Sequence, residues 1–369
     1  MTAYRSLLRH KATRTLVRVA LCATVGTTAT VLCAPTVWSA PTDSYAVTAT
    51  IPVNGLAEGI AISPDGSRAY VTHGDDGAAG QLSVIDTATK TVLNTLAVGN
   101  FPVGVTVSPN GQTVYAGSNG DDTVSVIDTT TFAVTATIPV GDGPLGVTIT
   151  PDGTKVLVAS QFDGHLTIID TATNTVSSTL ALGGTTMFLA VSPDSRTAYV
   201  TDSSGNAIDV VDIPTAAVTA RIPASGSPLD IDITDNGSTL CVTGVDGFST
   251  GSASIIDTAT RSVTATIPVA AAAGGIDVAP DGHTAYIAHS TPTNAVTVID
   301  TATRTVTATV PITENGQLIA VTPNSADAYV TSQSDTVSVV SNTSAPTDPP
   351  TTTPPTLPGT GSLGTIFGS

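Results

Sequence analysis

Apolar and polar residues alternate in short runs along most of the chain, a period of two that sends successive side chains to opposite faces of a β-strand. GVTVS, TVYAG, TVSVID and AVTATIP follow one another between residues 104 and 139. Pro109-Asn110-Gly111 separates the first pair, with Pro fixing φ and Gly accepting a positive φ. Asp128 opens the turn between the last pair, where its carboxylate can accept the backbone N–H groups ahead of it. No helical period is sustained beyond the first forty residues. The pattern predicts an all-β chain.

These four runs, termed A to D, recur. The Asp closing run C stands at Asp86, Asp128, Asp170, Asp212, Asp257 and Asp300, at intervals of 42, 42, 42, 45 and 43 residues, and Ser341 takes its place in a seventh copy. Seven A–B turns, from Pro64-Asp65-Gly66 to Pro323-Asn324-Ser325, give the same count. Four antiparallel strands in about 42 residues make one propeller blade. The expected fold is therefore a seven-bladed β-propeller of four-stranded antiparallel blades. The seventh copy lacks run D, and a spare D run, YAVTATIP, lies at residues 45–52 ahead of the first A run. Pairing that N-terminal strand into the last blade closes the ring and leaves no open sheet edge between first and last blades. Tyr70, Tyr115, Tyr199, Tyr286 and Tyr329 recur in the B runs and are expected to pack between blades, with Leu157 and Leu240 in the same role.

The B runs read AYVTH, VYAGS, VLVAS, AYVTD, LCVTG, AYIAH and AYVTS, often with SPDG ahead and VSVIDTAT behind. In this the chain resembles the YVTN-repeat β-propeller family, over about residues 45–341. The resemblance implies a surface-layer or secreted protein and is specific for fold rather than activity. One departure is clear: the family's terminal Asn is replaced in every copy, by His73, Ser118, Ser160, Asp202, Gly244, His289 and Ser332.

The first forty residues follow other rules. Arg5, Arg9, Lys11, Arg14 and Arg18 precede an apolar stretch at 19–32 and small residues near Ser39. Residues 1–39 read as a cleaved signal peptide, leaving a propeller at 40–341 in a secreted or wall-associated protein with no transmembrane segment. Cleavage removes five of the 12 Lys+Arg and none of the 29 Asp+Glu, leaving seven cations against 29 anions, a net charge of −22. Such a polyanion repels nucleic acid, so none is expected as a partner. Cys241 remains as a lone, core cysteine. A monomer is expected.

Residues 342–369 are rich in Pro and Thr and read as an extended spacer. They contain Leu357-Pro358-Gly359-Thr360-Gly361, which matches the LPxTG motif of proteins that sortases attach to cell walls. Proteins of that kind also carry an apolar segment and a basic end after the motif, where SLGTIFGS follows here.

No GxSxG, HExxH, P-loop or CxxC motif is present. Ligands of propellers usually sit where D–A and B–C connections share one face, so the B-end residues are expected on that rim. The candidate binding residues are His73, His289 and Asp202 there, Glu58 and Glu314 near the D–A connections, and Asp230, Asp232 and Asp277 in the A runs of blades five and six. No cofactor is required by this reading; two His with several carboxylates would suit Ca²⁺ or a transition metal if they converged. The leading expectation is a non-enzymatic binding platform for a surface or extracellular protein, a glycan or a wall polymer. The alternatives are a propeller enzyme of lactonase or quinoprotein-like type and a structural coat protein.

Overall fold

The structure, a computed structural model, describes residues 44–74, 79–224, 226–245 and 251–344. The expected leader at 1–39 and the spacer with Leu357–Gly361 lie outside the described residues. Among the described residues there is no helix, and so none long and apolar enough to cross a membrane.

Seven four-stranded antiparallel sheets form, each with its strands in the order A-B-C-D. In the seventh blade the order is Gly316–Val321, Asp327–Ser332, Thr336–Asn342 and then the N-terminal strand Tyr45–Pro52. Ile51 pairs with Val337 and Tyr45 with Asn342, and the Val53 N–H donates to the Asp335 carbonyl at 2.7 Å. The expected closure is thus in place. Each A strand touches the A strands of both neighbouring blades, including first against seventh, so the A strands form the inner wall.

The apolar core is divided into seven clusters, each filling the gap between two neighbouring sheets. Tyr115, Val124, Val126 and Ile138 of blade two meet Val147, Val156, Val158 and Ile169 of blade three. Ile51, Tyr329, Val337 and Val339 of blade seven meet Ala57, Ala69, Val71 and Ile85 of blade one. The B-strand tyrosines lie in such clusters, as does Leu157. Leu240 does not take the tyrosine place. Cys241 does, because it stands opposite Asp232 as Tyr70 stands opposite Ala61, and Leu240 is one residue earlier on the other face of the strand.

Threonine in the repeated YVT joins blades to one another. The Gly59 N–H donates to Thr72 Oγ1 at 2.9 Å, and that hydroxyl donates to the Val103 carbonyl of the next blade at 2.7 Å. Thr201 and Thr243 repeat the relay, and Thr331 closes the ring onto the Glu58 carbonyl at 2.7 Å. Where Gly117, Ala159 and Ala288 occupy this place, no hydroxyl is available. The D strands share another device. Each is bulged at the same place, and the bulged Thr48, Thr135, Ser177, Thr219, Thr264 or Thr307 donates to a C-strand carbonyl beside it. Blade one carries the half-exposed Leu93 there instead.

Turn chemistry follows the residues. Asp86 Oδ1 accepts from the Thr89 N–H at 2.7 Å and its Oγ1 at 2.9 Å, and Asp128, Asp170, Asp212, Asp257 and Asp300 each cap a C–D turn likewise. These aspartates build turns.

Candidate functional site in the central channel

Two alternate residues of each A strand stand at the axis of the ring, the third and fifth in six blades and the fourth and sixth in blade five, whose strand Ser227–Ile233 starts one residue earlier. In blades one to three the third is Gly59, Gly104 and Gly146. A Cβ at Gly59 would fall 1.8 Å from the Val103 carbonyl oxygen, so glycine is what lets these strands approach. Blades five and six break the apolar or small pattern with Asp230, Asp232 and Asp277. All three face one cavity of about 160 Å³, beside Phe188 and Leu318.

These carboxyls are surrounded by protein and open only on the lumen, which leaves each half-buried. Their partners are backbone groups of the next blade. Asp230 Oδ2 accepts from the Ile276 N–H at 2.9 Å, Asp232 Oδ2 from Val278 at 2.7 Å, and Asp277 Oδ2 from Val321 at 2.6 Å. Asp230 Oδ1 also accepts from its neighbour Ile231 at 2.9 Å. Asp232 and Asp277 hydrogen-bond to each other across the boundary of blades five and six. Among the described residues no Lys, Arg or His lines the cavity. Burial, and then the Asp232 charge, push Asp277 well above the usual carboxylate range, so the pair keeps a proton where isolated carboxyls would lose it. Burial likewise raises Asp232, and lifts Asp230 to about 7. Cys241, opposite Asp232, is pushed up to about 12 by burial.

The other predicted residues do not join this group. His73 is fully buried, its Nδ1 2.6 Å from the Asn54 carbonyl and its Nε2 2.8 Å from Ser83 Oγ. His289 is equally buried in blade six, with Nδ1 3.3 Å from the Ala271 carbonyl. Desolvation lowers its pKa and keeps it neutral. Asp202 is buried in blade four, where it pairs with Arg221 and accepts from the Gly205 N–H at 2.9 Å. His73 and Ser118 thus sit under the D–A connections rather than on the rim, His73 between Asn54 of that connection and Ser83 of strand C. Ser118 donates to the Val98 carbonyl at 2.8 Å. Glu58, half-buried at the start of its A strand, is raised to about 7 by burial. Glu314 accepts from Ser334 Oγ at 2.8 Å in the last D–A connection.

Among the described residues no group of three or more His, Cys, Asp or Glu is arranged to hold a metal ion. The channel aspartates each accept a backbone N–H at an Oδ atom. What the trio can do is bind protons and tie blades five, six and seven together.

A family model described as "Lactonase, 7-bladed beta-propeller" matches residues 67–182, from the A–B turn of blade one to the end of blade three. The match is short of half the chain and ends before Asp230. Among solved structures, hydrazine synthase of Kuenenia stuttgartiensis superposes with a TM-score of 0.72 at 22% identity, covering 79% of this chain and 96% of that one. At that identity the likeness is one of fold. No curated protein matches the chain in sequence.

Proposed function

We propose that the chain is a secreted or surface-associated binding module, a rigid ring that presents loops to an extracellular macromolecule. The observation that carries this reading is the commitment of the channel carboxyls to inter-blade hydrogen bonds, which leaves them holding the scaffold. The signal-like N-terminus, the Pro/Thr spacer and the LPGTG sequence support the location. A second reading, a hydrolytic propeller, is favoured by the partial lactonase match and by the proton shared between Asp232 and Asp277, which could serve acid–base chemistry. Purified protein incubated with a panel of aliphatic and aromatic lactones separates the two. The binding reading expects no turnover above buffer, together with saturable capture of at least one member of a protein and glycan array. Turnover abolished by Asp277→Asn would replace it with the hydrolytic one.

A further inference from the structure

Two exposed aromatic rings stand out among the described residues: Phe162, 67% exposed, and Phe101, 36% exposed. Both lie on the D–A/B–C face, on neighbouring blades. Phe101 directly precedes the A strand of blade two (Pro102–Val107), and Phe162 is in the B–C turn of blade three. Asn119 links their surroundings, its N–H donating to the Phe101 carbonyl at 2.9 Å and its Nδ2 to the Pro144 carbonyl at 3.3 Å. Phe162 in turn lies over Gly143, where an added Cβ would fall 2.3 Å from the ring. Phe101 holds φ at +47°, in the position where the next repeat has Gly143 at +68°. A phenylalanine there accepts left-handed strain and still leaves part of its ring exposed.

The charge around the rings is one-sided. Exposed Asp121, Asp122, Asp142 and Asp163 lie in the same connections, where Asp121 accepts from the Asn100 N–H, Asp122 from Gly143 and Asp163 from Asp142. Of the seven Lys and Arg in the described residues, six lie at the opposite face, at the A–B and C–D ends: Arg68, Lys90, Lys155, Arg196, Arg261 and Arg304. The seventh, Arg221, is paired with Asp202. The cation-capable group on this rim is His165, 3.0 Å from Asp163.

Resting on the binding-module reading, we propose that the D–A/B–C rim of blades two and three docks a basic polypeptide segment, with Lys or Arg side chains on Phe101 and Phe162 and the four aspartates of those connections. Aromatic faces attract cations, and a carboxylate frame raises their local concentration. An anionic polymer is repelled by the same frame.

The probe is a fluorescent decapeptide of alternating Lys and Gly, titrated into the intact protein beside its Glu-Gly counterpart and a neutral glycan array. The proposal expects saturable binding of the Lys peptide alone, weakened on the order of tenfold by Phe162→Ala and by Phe101→Gly. Phe101→Gly also relieves backbone strain, so an unchanged or raised melting temperature shows that lost binding is not lost folding. Equal binding by wild type and both variants overturns the site, since attraction to a diffuse acidic surface would then suffice. Glycan capture with no peptide binding overturns it too, while leaving the binding-module reading intact. Failure of every probe counts against both.

Discussion

Asp232 and Asp277 occupy the same register position of neighbouring inner strands, where other blades carry Ala or Thr. Two carboxyls so placed cannot both ionise without cost, and a proton kept by the pair turns repulsion into a hydrogen bond. Asparagine at 277 reproduces the protonated form: its amide can donate to Asp232 while its oxygen accepts from Val321. Asp277→Asn is therefore expected to raise the melting temperature at pH 8 by a few degrees, about 1 kcal/mol for a chain of this size. At pH 3, below the ordinary Asp pKa, where the carboxyl is protonated in folded and unfolded chains alike, the two proteins should melt together. Calorimetry at both pH values checks this, and a destabilised variant at pH 8 would show that Asp277 works ionised. The acidic residues themselves were legible in the A runs; their sharing of a proton was not, because it depends on the distance between residues 45 positions apart in the chain.

The N-terminal D strand, Tyr45–Pro52, is the element on which closure depends. It pairs with the last C strand along its length and brings Ile51, 2% exposed, into the cluster shared by blades seven and one. Removing residues 45–52 uncovers the edge of Thr336–Asn342 and loses that core contact. A loss of several kcal/mol follows from the cavity alone, and thermal melts should show a drop on the order of ten degrees. Restoration by the separate peptide 44–53 would tie the loss to the strand itself; a truncated protein that melts like the intact one rules out the strap. This element was readable from the sequence because one copy lacked a D run and one D run lacked a copy. The Leu240 expectation failed for a similarly local reason: a shift of one residue moves a side chain to the other face of a strand, and LCVTG aligns with AYVTD only if Cys241 takes the tyrosine place.

Across the whole ring two populations of carboxyl oppose each other in their response to pH. Hydrogen bonds from Ser63 and Ser67 hold Asp65 down to about 2, and bonds from Thr89 and its equivalents lower Asp86, Asp128, Asp257 and Asp300. These turn groups stabilise the fold above the ordinary carboxylate range, and their contribution fades as pH falls toward 2. Asp230 and Glu58 are raised to about 7, so their contribution is complete at low pH and is lost as pH climbs through about 7, and the raised Asp232 and Asp277 act in the same direction. The melting temperature should peak near pH 4 to 5 and decline toward pH 8, a profile that a pH series of melts tests directly. A rising melt over that interval would mean the channel carboxyls ionise freely.

Period, turn residues and repeat count are local properties, written within a few residues of the places they act. From them the seven blades, the four strands of each and the ring closure could be read without coordinates. Radial position is different. Whether an end-of-strand His73 or His289 reaches solvent, or three aspartates meet on an axis, depends on how sheets twist and stack around that axis. The same stacking buries His73 and Ser118 beneath the D–A connections, gathers the acids of blades five and six in the channel, and leaves Phe101 and Phe162 together on the rim. Those placements arise from contacts between blades, and no single repeat encodes them.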